Sequence, residues 1–306
     1  MRGYEAVGSR GRRTWGRDVW IIFGALFAVA AAYAAGVIFR GSEDFNFFVD
    51  GVLGLLAVVL PAAVVWLMVF RLKGKRPEMI LAAAAMSCHA AGDTYYVVVS
   101  AAGEDVPLPS LADAGYVGFY LLMLAALAVT VRRQLRDMAG PVVLDSVVGG
   151  FGAAAFLAVV LGPVLSSAFE GPHSAAAVLD AAYPLMDLLL IAAVIGIAAT
   201  AEQNVGRGWG LLVLGLLIHT GADIVYALLE INDLYVVGTP LDAAWALGAA
   251  LIACWTVVQS RRGAAAAGHG RGIPVQAVPA LAILAGLGVL IVATQQRVMV
   301  LAVVLA

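Results

Sequence analysis

Two helix-spaced pairs of histidine and aspartate are the residues best suited to chemistry in this chain. His89-x3-Asp93-x2-Tyr96 and His219-x3-Asp223-x2-Tyr226 are copies of one pattern, H-x3-D-x2-Y. On a helix, positions i, i+4 and i+7 share a face, so each copy presents an imidazole, a carboxylate and a phenol together. An imidazole beside a carboxylate can hold a proton, bind a cation or polar ligand, or donate to a metal ion. Asp180, Tyr183 and Asp187 share a face in the same way, at i, i+3 and i+7. A second motif, D-x2-aromatic, opens three helices: Asp113 with Tyr116, Asp180 with Tyr183, and Asp242 with Trp245. The candidate ligand-binding set is therefore His89, Asp93, Tyr96, Asp113, Asp180, Tyr183, Asp187, His219, Asp223, Tyr226, Asp242 and Trp245, with Tyr116 beside them.

Each group also has a plainer role. His89, Asp93, His219 and Asp223 offer an N2O2 set for zinc or copper. Two midplane histidines on different helices can also ligate a haem axially, non-covalently, because no C-x-x-C-H attachment motif occurs. Cys88 adjoins His89 but projects roughly 100° away on a helix. Against ligand binding stands a satisfied interhelical hydrogen-bond network, each bond worth about 0.6–2 kcal/mol. Ser110-Leu-Ala-Asp113 and Thr239-Pro-Leu-Asp242 fit the capping box, with Pro240 suited to the first helical position. For Asp113 and Asp242, capping is the expected role. Tyr116, Tyr183 and Trp245 fall near a membrane boundary, where an aromatic belt is the expectation. Asp145 reads as a solvated or capping acid. Pro163 and Pro184 interrupt apolar helices and can kink them or open carbonyls to a cavity. Catalytic signatures are absent: the sequence has no Gly-rich phosphate loop, no G-x-S-x-G and no H-E-x-x-H.

The elements that must position these residues are membrane helices. The chain has 306 residues, 63% hydrophobic and 12% charged, with a mean hydropathy of +0.97. Soluble domains carry about 25% charged residues. An ordinary soluble enzyme and a disordered tail are thereby excluded. So is a nucleic-acid binder, since the net charge is −2. Nine apolar runs lie at about 19–39, 47–70, 79–101, 112–131, 141–165, 176–199, 209–230, 240–258 and 274–294. Each is long enough to cross ~30 Å of hydrocarbon as a helix. A tenth run begins at Val298 and reaches Ala306. The fold expected is an all-α, polytopic helix bundle of about ten transmembrane helices. The unfinished run predicts a natural chain that continues into the cytoplasm. The small residues mixed through the spans, Gly149-Gly150 and Gly286/Gly288 among them, permit close helix packing.

Charge sets the orientation. Sixteen of the eighteen lysines and arginines fall on the side of the N-terminus, leaving Arg40 and Arg297 on the other. This is the positive-inside pattern, with the N-terminus cytoplasmic and a completed tenth helix returning the C-terminus there. The outer loops carry Glu43, Asp44, Glu104, Asp105, Glu170 and Asp233. The chain divides into a basic N-terminus (1–18), an eight-helix body (19–258), a Gly/Ala-rich cytoplasmic linker (259–273) and a terminal hairpin (274–306). The first segment reads as an uncleaved signal anchor. Asp50, Asp113, Asp180 and Asp242 are 63, 67 and 62 residues apart, a period of one helical hairpin. Four related hairpins, parallel in sense, are expected. By depth, the acids and histidines form a polar funnel open to the outside, narrowing to His89, His219 and Asp187. An ionised Asp at the bilayer centre costs ~2.5–3.5 kcal/mol, and no mid-span Lys or Arg compensates it, which makes the funnel a candidate functional site.

From about Gly92 to Val258 the chain resembles a known family. Gly92-Asp93 with Tyr95/Tyr96, Pro109-Ser110-Leu111-Ala112-Asp113 with Tyr116 and Tyr120, and Leu144-Asp145 carry the first half of the likeness. Tyr183-Pro184-Leu185-Met186-Asp187, Ala222-Asp223 with Tyr226, and Asp242 with Trp245 carry the second. Together they resemble the multi-span N-terminal sensor region of actinobacterial cyclic-di-GMP proteins with GGDEF and/or EAL output domains. The resemblance implies a sensor or regulatory domain in the cell membrane, with a diguanylate cyclase or phosphodiesterase module in cis and a homodimeric state. It supplies no ligand. A related sensor type repeats Met-His-Tyr-Thr and is associated with copper; that tetrapeptide does not occur here. Two other functions fit the same residues: a small ion- or proton-coupled transporter, suggested by the repeat and midplane acids, and a haem or metal protein.

Overall fold

In a computed structural model, the described residues are 17–40, 45–72, 76–104, 106–135, scattered positions between 148 and 163, 175–204, 208–230, 232, 234–235 and 238–260. Among them the chain is helical, with no strand. The helices are α1 (Arg17–Phe39), α2 (Gly54–Arg71), α3 (Pro77–Ala101), α4 (Leu111–Leu135), α5 (Ala175–Asn204), α6 (Trp209–Glu230) and α7 (Asp242–Ser260). A π-helical turn, Phe47–Leu53, leads into α2. Seven of the nine expected spans are thus helices with nearly the expected limits. Most of the fifth expected span with Asp145, the ninth and tenth, and the basic N-terminus up to residue 16 lie outside the described residues. Residues 261–306 do as well; α7 runs through Gln259 and Ser260, two positions into the expected linker.

Among the described residues, five segments are long and apolar enough to cross a membrane: α1, the π-turn with α2, the Leu111–Thr130 part of α4, α6 and α7. Helix α3 falls outside that set because Ser87, His89, Asp93 and Thr94 break its apolar character. The described apolar stretch of α5, Ala182–Ile195, is shorter. Outward-facing side chains support a lipid surround: Phe39 is 84% exposed and Phe70 78%. Contiguous apolar surface of this kind is a liability in water and is solvated by acyl chains in a bilayer.

The helices follow one another around the bundle. Helix α3 packs on α4, α6 on α7, α5 on both α4 and α6, and α7 returns to meet α2 and α1. Helix α7 is the inner member: from Gly248 to Val258 every residue is buried. Small residues set the closest approaches. A Cβ on Gly115 of α4 would lie 2.6 Å from the Cys88 carbonyl oxygen and 2.9 Å from Gly92 Cα. A Cβ on Gly215 of α6 would lie 2.9 Å from the Gly248 oxygen of α7. Each contact closes one of the two hairpins that carry the H-x3-D-x2-Y motifs.

Three threonines inside the helices are satisfied locally. Thr94, Thr130 and Thr220 each donate to the carbonyl four residues earlier, at 2.6–2.8 Å. Trp66 Nε1 donates to Ser87 Oγ at 2.8 Å, tying α2 to α3. Pro184 is accommodated within a continuous α5. Asp50 sits in the π-turn that opens the second span, where Arg40 pairs with it at 2.6 Å and the Asn46 N–H donates to it at 2.8 Å.

Candidate functional site

The two histidine–aspartate pairs meet at the centre of the bundle. His89 Nδ1 lies 3.2 Å from Asp93 Oδ2, and His219 Nε2 lies 3.7 Å from Asp223 Oδ2. The imidazole rings of His89 and His219 contact each other edge to face, with centroids 4.9 Å apart. Phe119 of α4 packs against both, at 5.3 and 4.6 Å. Side-chain exposure rises from 10% at His89 to 24% at Asp93, and from 4% at His219 to 20% at Asp223. The carboxylates therefore face the accessible end and the imidazoles the closed one.

The repeat acquires a physical meaning here. Tyr116 Oη donates to Asp93 Oδ1 at 2.9 Å, and Trp245 Nε1 donates to Asp223 Oδ1 at 2.7 Å. In each hairpin, the aromatic residue of D-x2-aromatic on the second helix clamps the aspartate on the first. The third copy links hairpins: Tyr183 Oη donates to Asp113 Oδ1 at 2.6 Å. Tyr116, Tyr183 and Trp245 are accordingly inward-facing donors, which corrects the expectation of an aromatic belt. Depth in the span says nothing about direction; the nearby carboxylates decide it. Removing either clamp in Tyr116→Phe or Trp245→Phe is expected to cost about 1 kcal/mol. Unfolding of the detergent-solubilised protein measures it.

Asp113 and Asp242 also cap. Asp113 Oδ2 accepts from the Ser110 N–H at 2.6 Å, and Ser110 Oγ accepts from the Ala112 N–H at 3.2 Å. Asp242 Oδ2 accepts from the N–H groups of Gly238 and Thr239, and Oδ1 accepts from Tyr235 Oη at 2.8 Å. The turn needs Gly238, whose φ is +81°. Only half of this second box forms, since the buried Thr239 hydroxyl has no partner among the described residues. Burial, with the Asp242 carboxylate beside it, pushes the Tyr235 phenol up, so it remains a donor.

Tyr120 of α4 is the centre that sequence patterns did not select as a site residue. Its Oη lies 2.7 Å from Asp187 Oδ1 on α5 and 2.8 Å from Asp223 Oδ2 on α6. One phenolic proton cannot serve two carboxylates. The trio is complete only with a second proton, or a cation, shared among its oxygens. The available signal was position: Tyr120 follows Tyr116 by one helical turn on the same face. Tyr226 packs edge to face on Tyr235 at 4.7 Å and on Trp245 at 6.0 Å. Tyr96 is half-buried near Tyr116 and Tyr235. Asp180 lies in the first turns of α5, with its side chain outside the described set. The structure thus brings together His89, Asp93, Asp187, His219, Asp223 and Trp245 through Tyr116, Phe119 and Tyr120, with Tyr96 and Tyr226 at the rim. Asp113 and Asp242 stand at the starts of α4 and α7, and Tyr183 reaches Asp113 from α5.

The N2O2 metal set does not come together as a centre. Among the described residues no group of three or more His, Cys, Asp or Glu side chains is placed to hold a metal ion. A haem held axially by two imidazoles needs their ring nitrogens to face each other across about 4 Å, with the macrocycle between. The rings here touch edge to face with Phe119 against both, which leaves no slot for a porphyrin. Cys88 points to Gly118 of α4, away from the site. Compared with known proteins, the chain has no significant match among family models, curated proteins or solved structures.

Proposed function

We propose that this chain is the membrane-embedded sensor or regulatory domain of a signalling protein, with about ten transmembrane helices and a cytoplasmic N-terminus. It takes a small cationic ligand or ion from the outer side. The observation that carries the proposal is the Tyr120 trio: carboxyl groups on two different helices face a single phenolic hydroxyl, which has a proton for only one of them. Asp93 adds a third acid in the same cluster, and no Lys or Arg lies on these helices at its depth. Tyr96, Tyr116, Tyr226 and Trp245 surround the acids with aromatic surface, which suits an ammonium group or other small cation. Helices α3 to α7 all contribute, so occupancy changes the packing of five helices at once. A ligand acts this way only through different affinities for two packings.

The sequence resemblance supports a cyclic-di-GMP cyclase or phosphodiesterase module in cis, probed through a homodimeric output. The competing function is ion-coupled transport, which the buried acid pair also favours. Proteoliposome flux separates the two. A cation that stabilises the protein without crossing the membrane supports sensing. Uptake that disappears in Asp187→Asn contradicts it. For the full-length chain, cellular cyclic-di-GMP is expected to respond to the external cation and to stop responding in Asp223→Asn.

A further inference from the structure

The Tyr120 trio fixes a proton count. Tyr120 Oη lies 2.7 Å from Asp187 Oδ1 and 2.8 Å from Asp223 Oδ2. Two oxygens this close are joined by a hydrogen, since bare acceptors repel. The phenol supplies one hydrogen and an ionised carboxylate supplies none. The second contact therefore needs a hydrogen on Asp187 or Asp223. That acid donates to the phenolic oxygen, while the phenol donates to the other acid.

No neighbouring group stands in for this proton. His219 Nε2 is 3.7 Å from Asp223 Oδ2, beyond hydrogen-bond range. His219 Nδ1 is buried with no partner among the described residues, so an imidazolium there would bury an unpaired N–H. His89 of α3 pairs with Asp93, and Tyr116 of α4 donates to Asp93 as well. Tyr183 of α5 packs beside Tyr120 but donates to Asp113. Trp245 of α7 serves the far oxygen of Asp223. The stored proton also has an exit. Asp187 is 3% exposed, whereas the Asp223 side chain is 20% exposed. A proton on Asp187 leaves in one concerted step. Its O–H bond breaks as the proton passes to Tyr120 Oη, and the phenol's own proton forms a new O–H bond on Asp223 Oδ2. Phenol and net charge are unchanged, and the proton now sits at the accessible end.

We propose that the trio stores one proton on its carboxyl groups and exchanges it, through Tyr120 and Asp223, for the cation that enters the site. The incoming cation rests on the function proposed above; the proton rests on the hydrogen count alone. A monovalent cation replaces the proton without a change of net charge, so no second bare carboxylate is left in the bilayer. By linkage, cation affinity rises about tenfold per pH unit wherever one proton is displaced.

Two measurements on the chain in nanodiscs test this. Before cation is added, the infrared spectrum of wild type is expected to carry a carboxylic-acid C=O band that shifts in D2O. The band is expected to be missing from Asp187→Asn, whose amide supplies the second hydrogen without an acid. Sodium chloride or tetramethylammonium chloride is then added in weak buffer with a pH-indicator dye. About one proton released per bound cation is expected in wild type, and none in Asp187→Asn. Tyr120→Phe removes the relay and is expected to slow the release about tenfold in stopped flow; an unchanged rate overturns the relay. Should that variant not fold, Asp187→Asn decides. Identical acid bands in wild type and Asp187→Asn, or a bound cation with no proton released, overturn the proposal and leave the cation site standing. If neither salt binds, the exchange fails together with the cation site, and the acid band alone decides whether the trio stores a proton.

Discussion

Tyr120→Phe is expected to destabilise the bundle by about 2 kcal/mol, more than the loss of either outer clamp. Tyr120 is 3% exposed and its single hydroxyl reaches carboxyl groups on two other helices. Deleting it leaves Asp187 and Asp223 facing each other with one donor fewer. Trp245 still serves the other oxygen of Asp223, whereas Asp187 has no other side-chain donor among the described residues. The loss should therefore fall mainly on Asp187. A double-mutant cycle with Asp187→Asn tests this: the amide brings its own donor, so the double variant should recover part of the stability lost in Tyr120→Phe. Simple additivity would show that the phenol does not bridge the acids.

Gly115→Ala is expected to cost about 2 kcal/mol or more and to loosen the site. Its added Cβ would meet the Cys88 oxygen at 2.6 Å and the Gly92 backbone nitrogen at 2.9 Å. Both obstacles are backbone, so no rotamer change relieves them and α3 must move from α4. That movement lengthens the Tyr116–Asp93 hydrogen bond, because these residues flank the same contact. Alanine's better helix propensity returns only about 1 kcal/mol. Gly24→Ala is the control: nothing lies within 4 Å of the added Cβ, and a neutral or slightly stabilising effect is expected. Thermal unfolding of both variants in one detergent checks the difference. An equal effect at the two positions would mean that the glycine contact does not set the helix spacing.

Much of this arrangement is legible from residue order because apolar length and helical period are local signals. The run at 209–230 coincides with α6, and His89 with Asp93 share a face because they are four residues apart. Orientation toward a neighbouring helix is not local. Tyr116 and Trp245 fit a boundary belt by depth, yet each turns to an aspartate on the preceding helix of its hairpin. Tyr120 reaches Asp187 and Asp223, 67 and 103 residues away, and no spacing rule pairs them. The capping box at Asp242 was readable in part. Its carboxylate receives the Thr239 N–H, while the hydroxyl half depends on a turn conformation that the four-residue pattern does not specify.

The central proposal is that the acid and aromatic cluster of α3 to α7 receives a small cation. Its most direct measurement is the melting temperature of the chain in nanodiscs across sodium, potassium, calcium, ammonium, primary amines and tetramethylammonium, for wild type and Asp223→Asn. The predicted result is saturable stabilisation of wild type by at least one of these cations, and its loss in a folded Asp223→Asn. Absence of stabilisation by every cation, or identical stabilisation of both proteins, would contradict it.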